Sequence, residues 1–156
     1  VKLLILSVGT RLPGWANEAF AEYAKRMPRQ LAMELHEIRA EPRTSGKTAA
    51  QMMQVEGERI LRALPPRARL VAMDEHGKQQ DTKSLAAWVA LAQQDGRDAA
   101  FAIGGPDGLS DEVRTRAEGS ISLSRLTLPH ALARVMLAEA LYRAHTVNEG
   151  HPYHRE

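Results

Sequence analysis

The sequence predicts an α/β fold, a mostly parallel sheet flanked by helices, with ligands bound at the carboxyl ends of its strands. Two observations carry this. Short apolar runs with little polar alternation, KLLILSV at 2–8 and AAFAI at 99–103, have the character of strands covered on both faces. Between such runs lie longer segments whose apolar residues recur at helical spacing and which Pro or Gly then closes.

In order, Lys2–Val8 is the first strand and ends at Gly9. Trp15–Met27 sets Ala16, Ala19, Phe20, Tyr23 and Met27 on one helical face before Pro28 stops it. Leu31–Ile38 alternates weakly and reads as a second strand, and the aperiodic RAEPRTSGK after it reads as a mobile loop. Lys47–Leu64 is a helix with Met53, Gly57, Ile60 and Leu64 on its packing face, the glycine marking a close approach. Met52 and Met53 are assigned to the core. Arg69–Met73 is the third strand, and Asp74, Glu75, His76 and Gly77 mark its solvated end rather than an acid/base pair. Asp81 or Thr82 caps a helix that carries Leu85, Trp88, Val89 and Ala92 and stops at Gly96. Ala99–Ile103 is the fourth strand; Ser110, Asp111 and Glu112 suit the first turn of a helix; Ile121–Leu123 is a short fifth strand. The last helix, Ala131–Val147, is apolar almost all round, with Glu139 and Arg143 spaced to pair. Such a helix needs cover on more than one side, which predicts a homodimer.

Composition narrows the function classes. The length fits one domain, 1–156, of which only the tail 149–156 looks untethered. No apolar run approaches a membrane span, and VKLLILSV lacks the layout of a signal peptide, so a cytoplasmic protein is expected. The chain has no cysteine, which excludes disulfides, thiolate catalysis and cysteine-ligated zinc. The formal charge is only +2, but Arg125, Arg134, Arg143 and Arg155 gather near the end with His130, His145, His151 and His154, a patch able to meet phosphate.

Three stretches carry chemistry. In IGGPDGLS, at 103–110, Gly104, Gly105 and Gly108 allow backbone to approach a ligand, although the pattern is neither a dinucleotide fingerprint nor a P-loop and also fits a plain Pro-Asp-Gly turn. In SISLSRLTLPH, serines alternate with apolar residues just ahead of the last helix. The tail HPYHRE places Tyr153 to stack on a base and Arg155 to meet phosphate or a developing anion. Its His-x-x-His spacing is a poor zinc site, because Pro152 opposes a helix and no carboxylate stands at ligand spacing. No G-x-S-x-G elbow is present.

Taken together, KLLILSVGT, IGGPDGLS, LSRLTLPH, RVMLAEALYRA and HPYHRE closely resemble the ribosomal RNA large-subunit methyltransferase H family, minimal members of the SPOUT superfamily. The resemblance runs essentially end to end. It implies a C-terminal trefoil knot, S-adenosylmethionine as methyl donor without a metal, dimerisation through the knot, and methylation of N3 of a pseudouridine in 23S ribosomal RNA on assembled ribosomes. By motif, it implies a cofactor pocket lined by Met73, Gly104, Gly105, Leu123, Ser124, Arg125, Leu126, Thr127 and Leu128. Met73 stands where a leucine is usual, a volume-conserving change expected to be tolerated, and Val1 where the family starts with Met, which an alternative start codon would explain. Removing the N3 proton needs a base or stabilising charge. His154 and His130 are the candidate bases; Arg155, Arg143 and Arg125 are candidates for charge or phosphate contact, and Tyr153 closes the site with them. The alternatives are a catalytically inactive ribosome- or RNA-binding module of the same fold, and a small nucleotide-binding α/β enzyme.

Overall fold

The computed structural model describes every residue except Ser45 and Glu156, and of His154 the backbone alone. Five strands form one sheet: β1 (Leu3–Val8), β2 (Met33–Ile38), β3 (Arg69–Gln79), β4 (Ala99–Ile103) and β5 (Gly119–Ser122). Their order is β2-β1-β4-β3-β5, and every neighbouring pair is parallel. Helices cover both faces, as the uniformly apolar strands require. Alternate residues of one strand enter different cores. Leu3, Ile5, Phe101 and Val71 pack with Phe20, Val89, Leu137 and Leu141, from α1 (Gly14–Lys25), α3 (Thr82–Asp95) and α5 (His130–Glu149). Leu4, Leu6, Ala72 and Ala102 pack with Ile60 and Val113, from α2 (Ala49–Ala63) and α4 (Asp111–Arg116). Among the described residues no helix is long and apolar enough to cross a membrane.

Local chemistry explains the helix ends. Thr48 and Gln51 form a reciprocal capping box on α2. Asp81 accepts the Ser84 N–H at 2.8 Å to start α3, and Gly96, at φ +68°, ends it in the left-handed conformation. Gly57 is a close approach, since a Cβ there would lie 2.3 Å from Ser110 Oγ and 3.2 Å from Val113 Cγ2 on α4. Ser110 cannot swing away freely, because its hydroxyl accepts the Val113 N–H that starts α4. Gly57→Ala gains helix propensity, yet a net loss of about 1–2 kcal/mol is expected. Denaturant unfolding checks this; an unchanged or higher midpoint would refute the close approach.

Four features differ from the sequence reading. Strand β3 does not stop at Met73: Met73 and Lys78 both pair with Ile121, so residues 74–77 loop out and the strand resumes. The Asp74 carboxylate closes that excursion by accepting the His76 N–H at 2.9 Å. The buried face of α2 is Met52, Glu56, Gly57 and Ile60, one position round from the expected stripe, which brings in a carboxylate. The connection after β2 is tied down: Glu41 is buried, its N–H donates to Glu56 Oε2 at 2.9 Å, and its carboxylate pairs with Arg59 and Lys47 at 2.8 and 3.2 Å. Arg134, counted above in a basic surface patch, is fully buried. It donates to Ser7 Oγ at 3.0 Å, the Gly9 carbonyl at 3.2 Å and Glu37 at 3.2 Å, so it staples α5 to the ends of β1 and β2 and meets no phosphate.

Candidate active site

The ends of β3, β4 and β5 open into a cleft of about 350 Å³, inside the range of small-molecule sites, about 300–1,000 Å³. Its first wall is the loop after β4. Gly108 adopts φ +90° and donates its N–H to the Gly105 carbonyl at 2.9 Å, which folds the glycine stretch into a tight turn. A Cβ on Gly104 would lie 2.6 Å from the Gly108 carbonyl carbon, and one on Gly105 2.8 Å from Glu56 Oε1. The turn therefore has no room for side chains at either position.

The second wall is the irregular segment between β5 and α5. The Ser122 hydroxyl donates to the Ser124 carbonyl, the Ser124 hydroxyl accepts the Leu126 N–H, both at 2.9 Å, and Pro129 leads into α5. The serines that alternate with apolar residues thus shape a turn. The Thr127 hydroxyl donates to Glu75 at 3.0 Å, joining this wall to the β3 excursion.

Met73, Gly104, Gly105, Leu123, Ser124, Leu126, Thr127 and Leu128 line this one cleft, whereas Arg125 is exposed and does not. His130 lines it from the first turn of α5. Sequence reasoning missed Asp74, Glu75 and His76, which the excursion brings to the rim, and Asp107 and Arg114. Asp74 pairs with Arg114 at 3.2 Å. No sequence signal marks the excursion, because a strand that resumes after a loop reads like a strand that ended. Among the described residues no group of three or more His, Cys, Asp or Glu is arranged to hold a metal ion.

The other candidates stand elsewhere. Arg143 pairs with Glu139 at 2.7 Å, and Tyr153 donates its hydroxyl to the same carboxylate at 3.2 Å. The Tyr153 ring packs edge-on against Tyr142 at 4.7 Å, with the Arg143 guanidinium 4.9 Å above it. Burial, with hydrogen bonding to Tyr23 and the Glu139 charge, raises the Tyr153 phenol well above its ordinary value, so it stays protonated. Arg155 is exposed on the 3-10 turn Pro152–Arg155, and the His154 side chain lies outside the described residues. His130 and Arg143 stand thirteen positions apart on α5, about 20 Å of helix. One chain therefore holds the cleft at the first turn of α5 and the tail cluster well along the same helix, against Glu139, Tyr142 and Arg143.

Burial, reinforced by the Arg134 guanidinium, holds the His130 imidazole below its ordinary 6.5 against an opposing pull from Glu56. His130 is therefore neutral at pH 7. Its lowered pKa stabilises the fold above about pH 6.5, and that contribution is lost as pH falls through the folded value. Wild type should lose stability relative to His130→Asn between pH 7 and about pH 5. Unfolding midpoints across that window check this; parallel curves would contradict it.

A family model described as "Predicted SPOUT methyltransferase" matches residues 1–154. The chain belongs to the SPOUT methyltransferase family. Three relatives, each called Ribosomal RNA large subunit methyltransferase H, are similar along their whole length. The Leptothrix cholodnii protein is 53% identical over 156 residues, 100% of both chains. Those of Bordetella pertussis and Paraburkholderia phymatum are 51% and 52% identical over 155 residues, 99% of each chain.

The cleft of this methyltransferase fits the donor its family implies, S-adenosylmethionine. Gly104 and Gly105 let the turn fold back on itself tightly, and that turn forms one wall. Met73, Leu123 and Leu128 offer apolar surface, and Leu126 stands 76% exposed at the mouth, a large apolar side chain without cover. Asp74, Glu75 and Asp107 bring carboxylates to the rim, Asp74 and Asp107 each paired with an arginine, Arg114 and Arg43.

Proposed function

We propose that this methyltransferase transfers a methyl group from S-adenosylmethionine to N3 of a pseudouridine in 23S ribosomal RNA, acting on assembled ribosomes in the cytoplasm. The observation that carries the reading is the cleft at the strand ends, walled by the Gly104–Gly108 turn on one side and by Leu123, Leu126 and Leu128 on the other, in a chain about half identical to proteins named for that substrate class.

When bound, the cofactor supplies a methyl group already activated on a sulfonium, so the protein has to orient the acceptor and help remove one proton. Gly104, Gly105, Leu123, Ser124, Leu126, Thr127 and Leu128 hold the donor, with Met73 at the floor and Arg125 outside the cleft, free to meet RNA. The imide proton at N3 leaves to a neutral base, and His130, kept unprotonated at pH 7, is one whose state suits the task; His154 is the other. Arg143 and Arg155 balance the anion that develops, and Tyr153 anchors their cluster to α5.

The split between cleft and tail cluster supports a composite site in a homodimer, the tail of one subunit closing over the cleft of its partner. A stripe on α5 supports the same assembly: Leu132 is exposed, and Val135, Met136 and Ala140 beside it are only half-buried. Calorimetric titration with S-adenosylmethionine, sedimentation, and transfer of labelled methyl onto ribosomes test the proposal together. Saturable binding to a dimer with label in large-subunit RNA is the expected result. A folded protein that binds ribosomes but not the cofactor would instead be an RNA-binding module.

A further inference from the structure

The glycine wall of the cleft is held from outside the cleft. Glu56 is 2% exposed, an unusual place for a carboxylate, and sits on the face of α2 that meets Gly105. Its Oε2 accepts the Glu41 N–H at 2.9 Å and faces Arg43 Nη2 at 3.6 Å; its Oε1 finds no hydrogen-bond partner among the described residues. Arg43 reaches past it, and its Nη1 donates to Asp107 Oδ2 at 2.5 Å. One guanidinium thus bridges a carboxylate buried below the turn and a carboxylate on its tip. Arg43 lies in the connection between β2 and α2, and is not among the residues lining the cleft.

A planar guanidinium with two separate donors can satisfy two carboxylates at once, which an ammonium cannot do with the same geometry. The pair with Asp107 is partly exposed and so contributes little to global stability. Its consequence is local. With Arg43 in place, Asp107 cannot move outward without leaving its partner, and Gly105 rests on Glu56. We propose that Arg43 is a positioning residue for cofactor binding, a strap that holds the Gly104–Gly108 turn against Glu56 through Asp107. This rests on the cofactor reading given above.

Amide hydrogen exchange on the cofactor-free protein tests the strap directly. Exchange at Gly108, whose N–H closes the turn, should speed up in Arg43→Ala, with the core strands unchanged; unaltered exchange at Gly108 overturns the proposal. Calorimetry then tests the functional half. Arg43→Ala and Asp107→Asn should each weaken S-adenosylmethionine binding about tenfold, and the double variant should be no weaker than either. Losses that multiply to about a hundredfold, or single variants within about twofold of wild type, overturn it. Arg43→Lys should recover only part of the loss, whereas a requirement for charge alone would be met in full. If wild type fails to bind the cofactor, the methyltransferase reading falls, and the exchange result still decides the strap.

Discussion

A chain lacking Tyr153–Glu156 is expected to bind S-adenosylmethionine as wild type does and to methylate ribosomes at less than about one-thousandth of the full rate. The cleft keeps all its lining residues, His130 included, while His154, Arg155 and Tyr153 are lost and Arg143 loses the ring it stacks on. Within the fold the deletion removes a hydrogen bond to Glu139 and a half-buried ring packed against the buried Tyr142, so a loss of about 1–2 kcal/mol of stability should accompany it without unfolding the chain. Calorimetry and label transfer read the two halves separately. A truncated enzyme that still methylates would remove the tail from the mechanism. Mixing truncated chains with full-length chains whose cleft is disabled asks which cleft the tail serves. Recovered activity means that a tail works across the dimer, and none means that it serves its own chain.

Gly104→Ala should supply that disabled cleft. The added Cβ would lie 2.6, 2.7 and 2.9 Å from the Gly108 carbonyl carbon, its oxygen and the Leu109 nitrogen. All three are backbone atoms, so no side chain can yield and the turn must spread. The expected outcome is cofactor binding weakened more than about a hundredfold, with about 1–3 kcal/mol of stability lost to overpacking. Gly119→Ala is the matched control, because a Cβ there meets nothing within 4 Å. Cofactor binding by Gly104→Ala close to that of wild type would mean that the turn is not the binding wall.

Much of this architecture was legible in the sequence, for physical reasons that vary along the chain. Ala99–Ile103 was bounded correctly because a short apolar run between a helix-ending Gly96 and a glycine pair leaves little choice. The cap at Asp81 and the close approach at Gly57 each rest on one side chain whose size or donor pattern has few other uses. Glu56 was not legible: helical periodicity assigns a carboxylate to the solvent side, and only the Arg43 and Glu41 contacts from a distant connection explain its burial. Arg134 was misread for the same reason, since its partners Ser7, Gly9 and Glu37 lie more than ninety positions away. The cleft's glycine and leucine walls were reached through a resemblance of motifs, whereas the acidic rim came from a strand excursion that no local pattern announces.

The strand order also governs when this protein can exist. Its central strand, β4, pairs with β1, and the Lys2 N–H donates to the Asp98 carboxylate 96 positions later. A ribosome making this chain must release nearly two-thirds of it before the first strand meets that neighbour, and the sheet cannot close earlier. Contacts so distant in sequence make folding slow, with apolar strands waiting unpaired meanwhile. The strand and helix that complete the cleft, β5 and α5, follow β4 in the chain, so a translation product that stops before α5 lacks one wall of the site.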